Sequence, residues 1–422
     1  MSMRFKKTTL ANGIRVVSEM QPESRAAALG IWVLSGTRDE SAGEAGISHF
    51  LEHMVFKGTK TRSAFQIAKS LEELGGELNA YTTREYTCYH ALVLKDHWHV
   101  ALDVLADLVT NMQIKKSDFE LERSVILQEI AMGDDNQEDV IYDVYFDRAF
   151  GKHPLGRPIL GNQGSIGKMT LKQVRDRYEQ HYSGPNLIIS AAGDLEHQDL
   201  VNAVEKALRR KKKTRFSVQR VKPRHFPVRE VIEKPGEQLH LLMGLPVTSF
   251  QDKYRFESFI VNALLGGGMT SKLYQKVRER KGLVYSIYSS LNTFVDFGMI
   301  NVYAACEPKN MKSVVKNIQS EVRALKERGI RPSDIELFKT QVKGSLLLGS
   351  DDVENRMSSI AVNEMVFGEY RPVERVIEEI EAVSAKSIKE FMREYYDLDK
   401  WGVVLLGAEA EAHRDLIENL TF

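Results

Sequence analysis

Cysteine, net charge and long apolar runs are all scarce in this sequence of 422 residues. The two cysteines, Cys88 and Cys306, are too few for a disulfide framework and indicate a reducing compartment. Lysine plus arginine number 58, as do aspartate plus glutamate, so a formal net charge of zero gives no argument for a nucleic-acid partner. No apolar run approaches a membrane span, and the N-terminus lacks the apolar segment of a secretory signal. We therefore expect a cytoplasmic bacterial protein with no signal peptide, transmembrane segment or membrane partner.

The stretch from Gly43 to Gly58 carries the clearest sign of chemistry. It contains the motif His-Phe-Leu-Glu-His at residues 49–53. Helical positions four apart lie on one face, so His49 and His53 can present two imidazoles to one metal ion, with Glu52 beside them. A separate stripe at helical spacing is available for burial and comprises Ile47, Phe50, Leu51, Met54 and Val55. The alternative is a helix whose histidines are merely packed or solvated.

The segments around this motif predict alternating strands and helices. Asn12-Gly13 is typical of a hairpin turn, and Ala26 to Ser35 predicts a buried strand. Helical spacing covers residues 65–74 and 97–111, and the Thr- and Tyr-rich residues 77–94 predict a strand.

A further helix is predicted to open at Ser117, which forms a capping-box pattern with Glu120. Glu122 and Glu129 follow seven residues apart on one face of it. Acidic residues on a helix are most often solvated. These two flank an apolar stretch, where a carboxylate needs a partner such as a metal ion or an imidazole.

A basic run from Arg209 to Arg215, followed by Pro223 and Pro227, indicates a domain boundary. The run could bind an anionic surface, but the pattern favours a solvated linker. We expect an N-terminal metal-binding domain over 1–215, a linker over 216–228 and a homologous C-terminal domain over 229–422.

The second half echoes the first without its polar residues. The segment at 114–121 has a counterpart at 330–337, and a duplication of this size indicates repeated domains rather than a solenoid. In that register Glu122 corresponds to Phe338 and Glu129 to Ser345, and the helical segment 259–265 contains no His or Glu. The His and Glu residues singled out in the first half are thus all missing from their counterparts in the second half. This joint absence indicates that they form one functional site in the first half.

Two histidines and one glutamate are a common ligand set for catalytic zinc, with water in the fourth position. His49, His53 and Glu129 supply that set, for one zinc ion per chain. Glu52 is the candidate general base, and Glu122 is a candidate supporting acid that orients a ligand imidazole. Nitrogen and oxygen ligands alone do not distinguish zinc from manganese or cobalt.

These motifs together resemble the pitrilysin/insulinase family of metallopeptidases, whose short two-domain members include the mitochondrial processing peptidases. The resemblance rests on the His-x-x-Glu-His order of the inverzincins, the segment Glu122 to Glu129, the N-terminal hairpin and residues 75–82. It covers nearly the whole chain. It implies an α+β fold of two homologous domains, each a mainly antiparallel sheet packed with helices. The activity it implies is zinc-dependent hydrolysis of short or unfolded peptides inside a closed chamber.

The same resemblance implies further roles. Asn79 and Ala80 would lie on a sheet edge to which the peptide adds as a strand. Arg278 and Tyr285 would contact the substrate carbonyl, and a chain of two domains implies a homodimer in which they act across the dimer. The alternatives are a non-catalytic scaffold, or a subunit that needs a different partner chain. The complete His-Glu-His set favours catalysis. Glycines 266–268 lack the spacing of a phosphate loop.

Overall fold

The computed structural model describes residues 4–214, 216 and 219–421, which form two compact units. Unit 1 comprises the described residues of Met1–Met132, Arg157–Val221 and Leu348–Arg371. Unit 2 comprises those of Gly133–Gly156, Lys222–Leu347 and Pro372–Phe422. No helix in this described part of the chain is both long and apolar enough to cross a membrane.

The units are not the continuous ranges 1–215 and 229–422 expected from the sequence, because two helices lie with the sheet of the other half. Helix α5 (Gln137–Phe150) belongs to unit 2, and helix α12 (Val353–Val366) belongs to unit 1. The pattern of an amphipathic helix shows that it must cover a sheet but not which one. Residue 215, the expected boundary, lies outside the described residues.

The sheet of unit 1 has six strands in the order β1-β2-β6-β3-β5-β4, so β4 is an edge strand. All neighbours are antiparallel except β2 and β6. The strands are β1 Phe5–Thr9, β2 Arg15–Met20, β3 Ala26–Val33, β4 Glu77–Thr82, β5 Thr87–Leu94 and β6 Leu187–Gly193. The hairpin at Asn12-Gly13 is confirmed, with φ of +88° at Gly13. The single strand expected over 77–94 is instead a hairpin, since Thr83 turns the chain by accepting hydrogen bonds from the amides of Glu85 and Tyr86.

Helices cover both faces of this sheet. Along β3, Ala27, Leu29 and Ile31 pack with the layer that includes α1, α2 and α3, whereas Ala28 and Trp32 pack with α12. Burial on both faces explains the nearly continuous apolar run of β3. The unit 1 helices are α1 Ile47–Val55, α2 Ala64–Glu72, α3 Trp98–Asn111, α4 Lys116–Asp135, α6 Gln163–Lys168, α7 Leu171–His181, α8 His197–Leu208 and α12. Helix α4 extends three residues past the bound of the unit.

One predicted helix start is wrong. Helix α4 begins at Lys116, so Ser117 lies within its first turn. The Ser117 hydroxyl donates to the Asp118 carboxylate at 3.3 Å instead of capping the helix. The capping-box spacing is therefore coincidental here.

The sheet of unit 2 has five strands in the order β7-β11-β8-β10-β9, and only β7 and β11 are parallel. The strands are β7 Arg229–Glu233, β8 Leu239–Val247, β9 Ser286–Thr293, β10 Gly298–Cys306 and β11 Gly402–Gly407. The helices are α5, α9 Arg255–Gly266, α10 Met311–Arg328, α11 Pro332–Ser350, α13 Val373–Glu381, α14 Ala385–Tyr395 and α15 Arg414–Glu418, with a π-helix at Tyr274–Glu279.

The two sheets repeat one connectivity. Strands β7-β11-β8-β10-β9 correspond in order and direction to β2-β6-β3-β5-β4, and β1 is an addition to unit 1. Each unit is thus an antiparallel-rich sheet packed with helices. The expected α+β class with two similar domains is confirmed.

Candidate metal centre

Helix α1 is fixed at its start by a buried carboxylate. Gly46 precedes the helix at φ of +91°, and a Cβ there would lie 2.6 Å from the carbonyl oxygen of Leu160. The Glu40 carboxylate accepts hydrogen bonds from the amides of Gly46 and Ser48, each 2.8 Å long. Burial raises the pKa of Glu40 to about 7, opposed by the nearby Arg177 and by these hydrogen bonds. The helix that carries the motif therefore starts at one defined residue and packs its apolar stripe against the core.

Three side chains from α1 and α4 converge on one point. Nε2 of His53 lies 3.5 Å from Oε2 of Glu129, and Nε2 of His49 lies 3.9 Å from the same oxygen. One donor atom from each residue lies within 4.8 Å of the others, and no second such group occurs in the described part of the chain. The i, i+4 spacing on α1 brings the two imidazole centroids to 4.6 Å. The structure thus assembles the predicted ligand set.

The geometry of these atoms fits a bound metal ion. Tetrahedral zinc with ligands at about 2.1 Å holds its donor atoms roughly 3.4 Å apart, close to the two distances found here. Oε2 of Glu129 is buried and has no hydrogen-bond donor among the described residues. Burial, aided by the neighbouring His53, lowers the pKa of His49 to about 4, so its imidazole is neutral near pH 7 and its nitrogen can bind a cation. A cation would compensate the buried oxygen.

Glu122 orients one of these imidazoles. Its Oε2 lies 3.0 Å from Nδ1 of His53, and its Oε1 lies 2.6 Å from the ammonium of Lys57. A carboxylate bound to a lysine acts as an acceptor, so Nδ1 of His53 donates the proton. That tautomer leaves a lone pair on Nε2, the atom nearest Glu129. The predicted supporting role of Glu122 therefore has a geometric basis.

Glu52 lies beside the triad on the same helix. Its Oε2 accepts a hydrogen bond of 2.6 Å from the hydroxyl of Thr82, the last residue of β4. Burial raises the pKa of Glu52, opposed by the Thr82 hydrogen bond and by His53, while the charge of Glu129 raises it further. A raised pKa makes a carboxylate a stronger base toward the proton of a water molecule.

The remaining predicted residues belong to other elements than the triad. Asn79 and Ala80 are on the edge strand β4, where Oδ1 of Asn79 accepts from the amide of Ala80 at 2.8 Å. Arg278 and Tyr285 are residues of unit 2. The Arg278 guanidinium lies 5.0 Å from the ring centroid of Tyr274, and Tyr285 is 77% exposed. Their roles stay predictions.

Sequence reasoning missed three residues that support the site. Glu40 caps α1, Lys57 pairs with Glu122, and Thr82 binds Glu52. Lys57 follows His53 by four positions, a spacing that could have indicated a shared partner. The contacts of Glu40 and Thr82 depend on tertiary packing and leave no periodic signal.

The chain resembles known proteins over almost its whole length. Residues 15–163 match the family described as Insulinase (Peptidase family M16), and residues 168–342 match Peptidase M16 inactive domain. An uncharacterized zinc protease of Mycobacterium leprae (strain TN) is 36% identical over 411 residues, covering 96% of this chain and 92% of that protein. The uncharacterized zinc protease YmxG of Bacillus subtilis (strain 168) is 34% identical over 395 residues, covering 94% and 96% respectively.

Two solved structures share the fold. A protease from Helicobacter pylori superposes with a TM-score of 0.89 at 21% identity, covering 95% of this chain and 99% of that one. A peptidase M16 inactive domain from Pseudomonas fluorescens gives a TM-score of 0.89 at 19% identity, covering 96% and 98%. At these identities the superpositions support the fold alone.

Proposed function

The chain belongs to the insulinase family of peptidases, family M16, and on that premise we propose that it is a zinc-dependent metalloendopeptidase. The observation that carries the proposal is the convergence of His49, His53 and Glu129 on one point with Glu52 beside them. The names of the relatives as zinc proteases support zinc as the metal.

Each side chain of the site has a separate role in the proposed hydrolysis of the peptide bond. A zinc ion held by His49, His53 and Glu129 would supply Lewis-acid polarisation of the scissile carbonyl and lower the pKa of a water to about 7. Glu52 takes a proton from the attacking water and passes it to the nitrogen of the leaving amine. Glu122 holds His53 in one tautomer through Nδ1.

The substrate in this proposal is a short or unfolded peptide that enters a closed chamber. It adds to the open edge of β4, so that main-chain hydrogen bonds around Asn79 and Ala80 provide binding. The hydrogen bond from the amide of Ala80 to the Asn79 side chain would be exchanged for one to the peptide. Cleavage of extended peptides, with folded proteins resistant, is the expected behaviour.

The active form in this proposal is a homodimer. Arg278 and Tyr285 of one chain would bind the substrate carbonyl at the zinc site of the partner, with Tyr285 as an oxyanion donor. The 77% exposure of Tyr285 is consistent with such a role. Light scattering during turnover measures the mass of the active species and so tests the proposed homodimer. A fully active monomer would contradict it.

The experiment that tests the function is cleavage of a quenched fluorescent peptide library. The purified protein and Glu52→Gln are compared, each with its zinc quantified. The wild type is expected to cut, and Glu52→Gln to keep its zinc and lose cleavage. If neither cuts while zinc is bound stoichiometrically, the chain is a scaffold or a partner-dependent subunit.

A further inference from the structure

Two threonine hydroxyls connect Glu52 to the main chain beyond β3. The Thr82 hydroxyl donates to Oε2 of Glu52 at 2.6 Å and lies 3.3 Å from the hydroxyl of Thr87. The Thr87 hydroxyl lies 3.2 Å from the carbonyl oxygen of Ser35. Thr82 ends β4 and Thr87 begins β5 directly opposite it, and both side chains are buried. The row therefore lies inside the sheet and ends at a fixed acceptor.

This row provides one donor to the Glu52 carboxylate. Each hydroxyl has one proton and can also accept. Thr82 donates to Oε2 of Glu52, and Thr87 donates to the Ser35 carbonyl oxygen. Thr82 is therefore the donor that faces Oε2 of Glu52, with the Thr87 hydroxyl behind it.

We infer that Thr82 is a positioning residue, which holds Oε2 of Glu52 so that Oε1 stays turned toward the substrate water throughout the reaction. The inference rests on the proposed function. Oε1 has no hydrogen-bond partner within the described residues, so the Thr82 contact is what distinguishes the two oxygens. Without it the carboxylate could rotate about its last bond, and a general base acts only within hydrogen-bond reach of its proton. Thr87 acts through Thr82 and should matter less.

A purely structural role must be distinguished from this one. Thr82 could simply join the end of β4 to α1. Loss of such a tie would lower stability, shift β4 and raise KM. Loss of positioning lowers kcat and leaves KM, zinc affinity and the melting temperature nearly unchanged. Serine keeps the hydroxyl, whereas valine keeps the shape of the side chain without it. Comparing the two substitutions therefore distinguishes a structural role of Thr82 from a positioning role.

The experiment compares Thr82→Val, Thr82→Ser and Thr87→Val in the zinc-loaded full chain. Since general-base catalysis contributes about 10²–10⁴-fold, kcat of Thr82→Val should fall about 10–100-fold with KM within about 3-fold. Thr82→Ser should stay within about 3-fold of wild type, and Thr87→Val should fall between them. Zinc affinity, measured by chelator competition, should not change.

Two outcomes would overturn the inference: an undiminished kcat in Thr82→Val, or a Thr82→Ser variant as impaired as Thr82→Val. If the wild type itself does not cut peptides, the proposed function fails, and crystal structures of the same variants decide the inference. The Glu52 carboxylate should then be reoriented in Thr82→Val and unchanged in Thr82→Ser. An unchanged carboxylate in Thr82→Val would refute it.

Discussion

The two sheets share one connectivity, yet the same helical position is occupied by very different side chains. In unit 1 the buried Glu122 of α4 contacts His53 and Lys57. Its counterpart in α11 is Phe338, which lies in the apolar core of unit 2. A buried carboxylate needs such partners, whereas a buried phenyl ring stabilises by its burial alone. Unit 1 therefore has a buried charged residue with polar partners at a position where unit 2 has an apolar core residue.

The largest effect should follow removal of a ligand from one copy only. Glu129→Ala removes an oxygen of the triad, and we expect loss of stoichiometric zinc and a fall in kcat/KM of more than about 10³-fold. Ser345→Ala, at the corresponding exposed position of α11, should change neither. Metal analysis and peptide cleavage check both. An equal effect of the two substitutions on zinc content and cleavage would contradict the assignment of the functional site to unit 1 alone.

Removing the supporting acid should weaken the site without destroying it. Glu122→Gln keeps the shape but loses the charge that pairs with Lys57 and orders His53. Zinc affinity should fall about 10–100-fold, the usual cost of losing a partner of a ligand. Chelator competition measures it, and unchanged affinity would argue against the orienting role.

The corresponding change in unit 2 should cost stability instead. Phe338 is 4% exposed in the core, so Phe338→Ala should lower the free energy of unfolding by about 3–5 kcal/mol. Zinc affinity should stay at the wild-type value, because Phe338 is not in the unit that carries the His49, His53 and Glu129 triad. Urea unfolding and chelator competition on the same preparation give both numbers. A zinc effect as large as that of Glu122→Gln would contradict the separation.

The smallest expected effect is a pH dependence present in both units. Burial lowers the pKa of His181 in unit 1 to about 3 and that of His225 in unit 2 to about 4. The unfolded chain takes up these protons near pH 6.5. Their contribution to stability is therefore complete above pH 6.5 and is lost as pH falls toward the folded-state values.

Thermal melts of the metal-free protein at pH 7.5 and pH 5 check this. His181→Gln and His225→Gln should each reduce the drop in melting temperature between the two pH values, and by similar amounts. His413→Gln, at a half-buried position near the C-terminus, serves as the control. A drop unchanged in both variants would assign the pH dependence to other groups.

The convergence of the triad side chains could be predicted from the sequence, because helical spacing alone places His49 and His53 on one face, and the repeat separated Glu122 and Glu129 from the scaffold. It failed where position depends on tertiary packing. In the sequence Thr82 is an ordinary strand residue, and only the tertiary structure shows that its hydroxyl contacts Glu52. The exchange of α5 and α12 could not be seen, because either helix would suit either sheet by its apolar pattern.

That exchange has a consequence for how the protein is made. The last strand of the unit 1 sheet, β6, ends at Gly193, but α12, which covers one face of that sheet, ends at Val366. At a translation rate of about 5–20 residues per second, a ribosome needs on the order of 10–35 seconds to bridge the interval. During this time Ala28, Trp32 and Ile188 have no covering helix. The nascent chain therefore exposes this apolar face of the sheet to solvent until α12 has been synthesised.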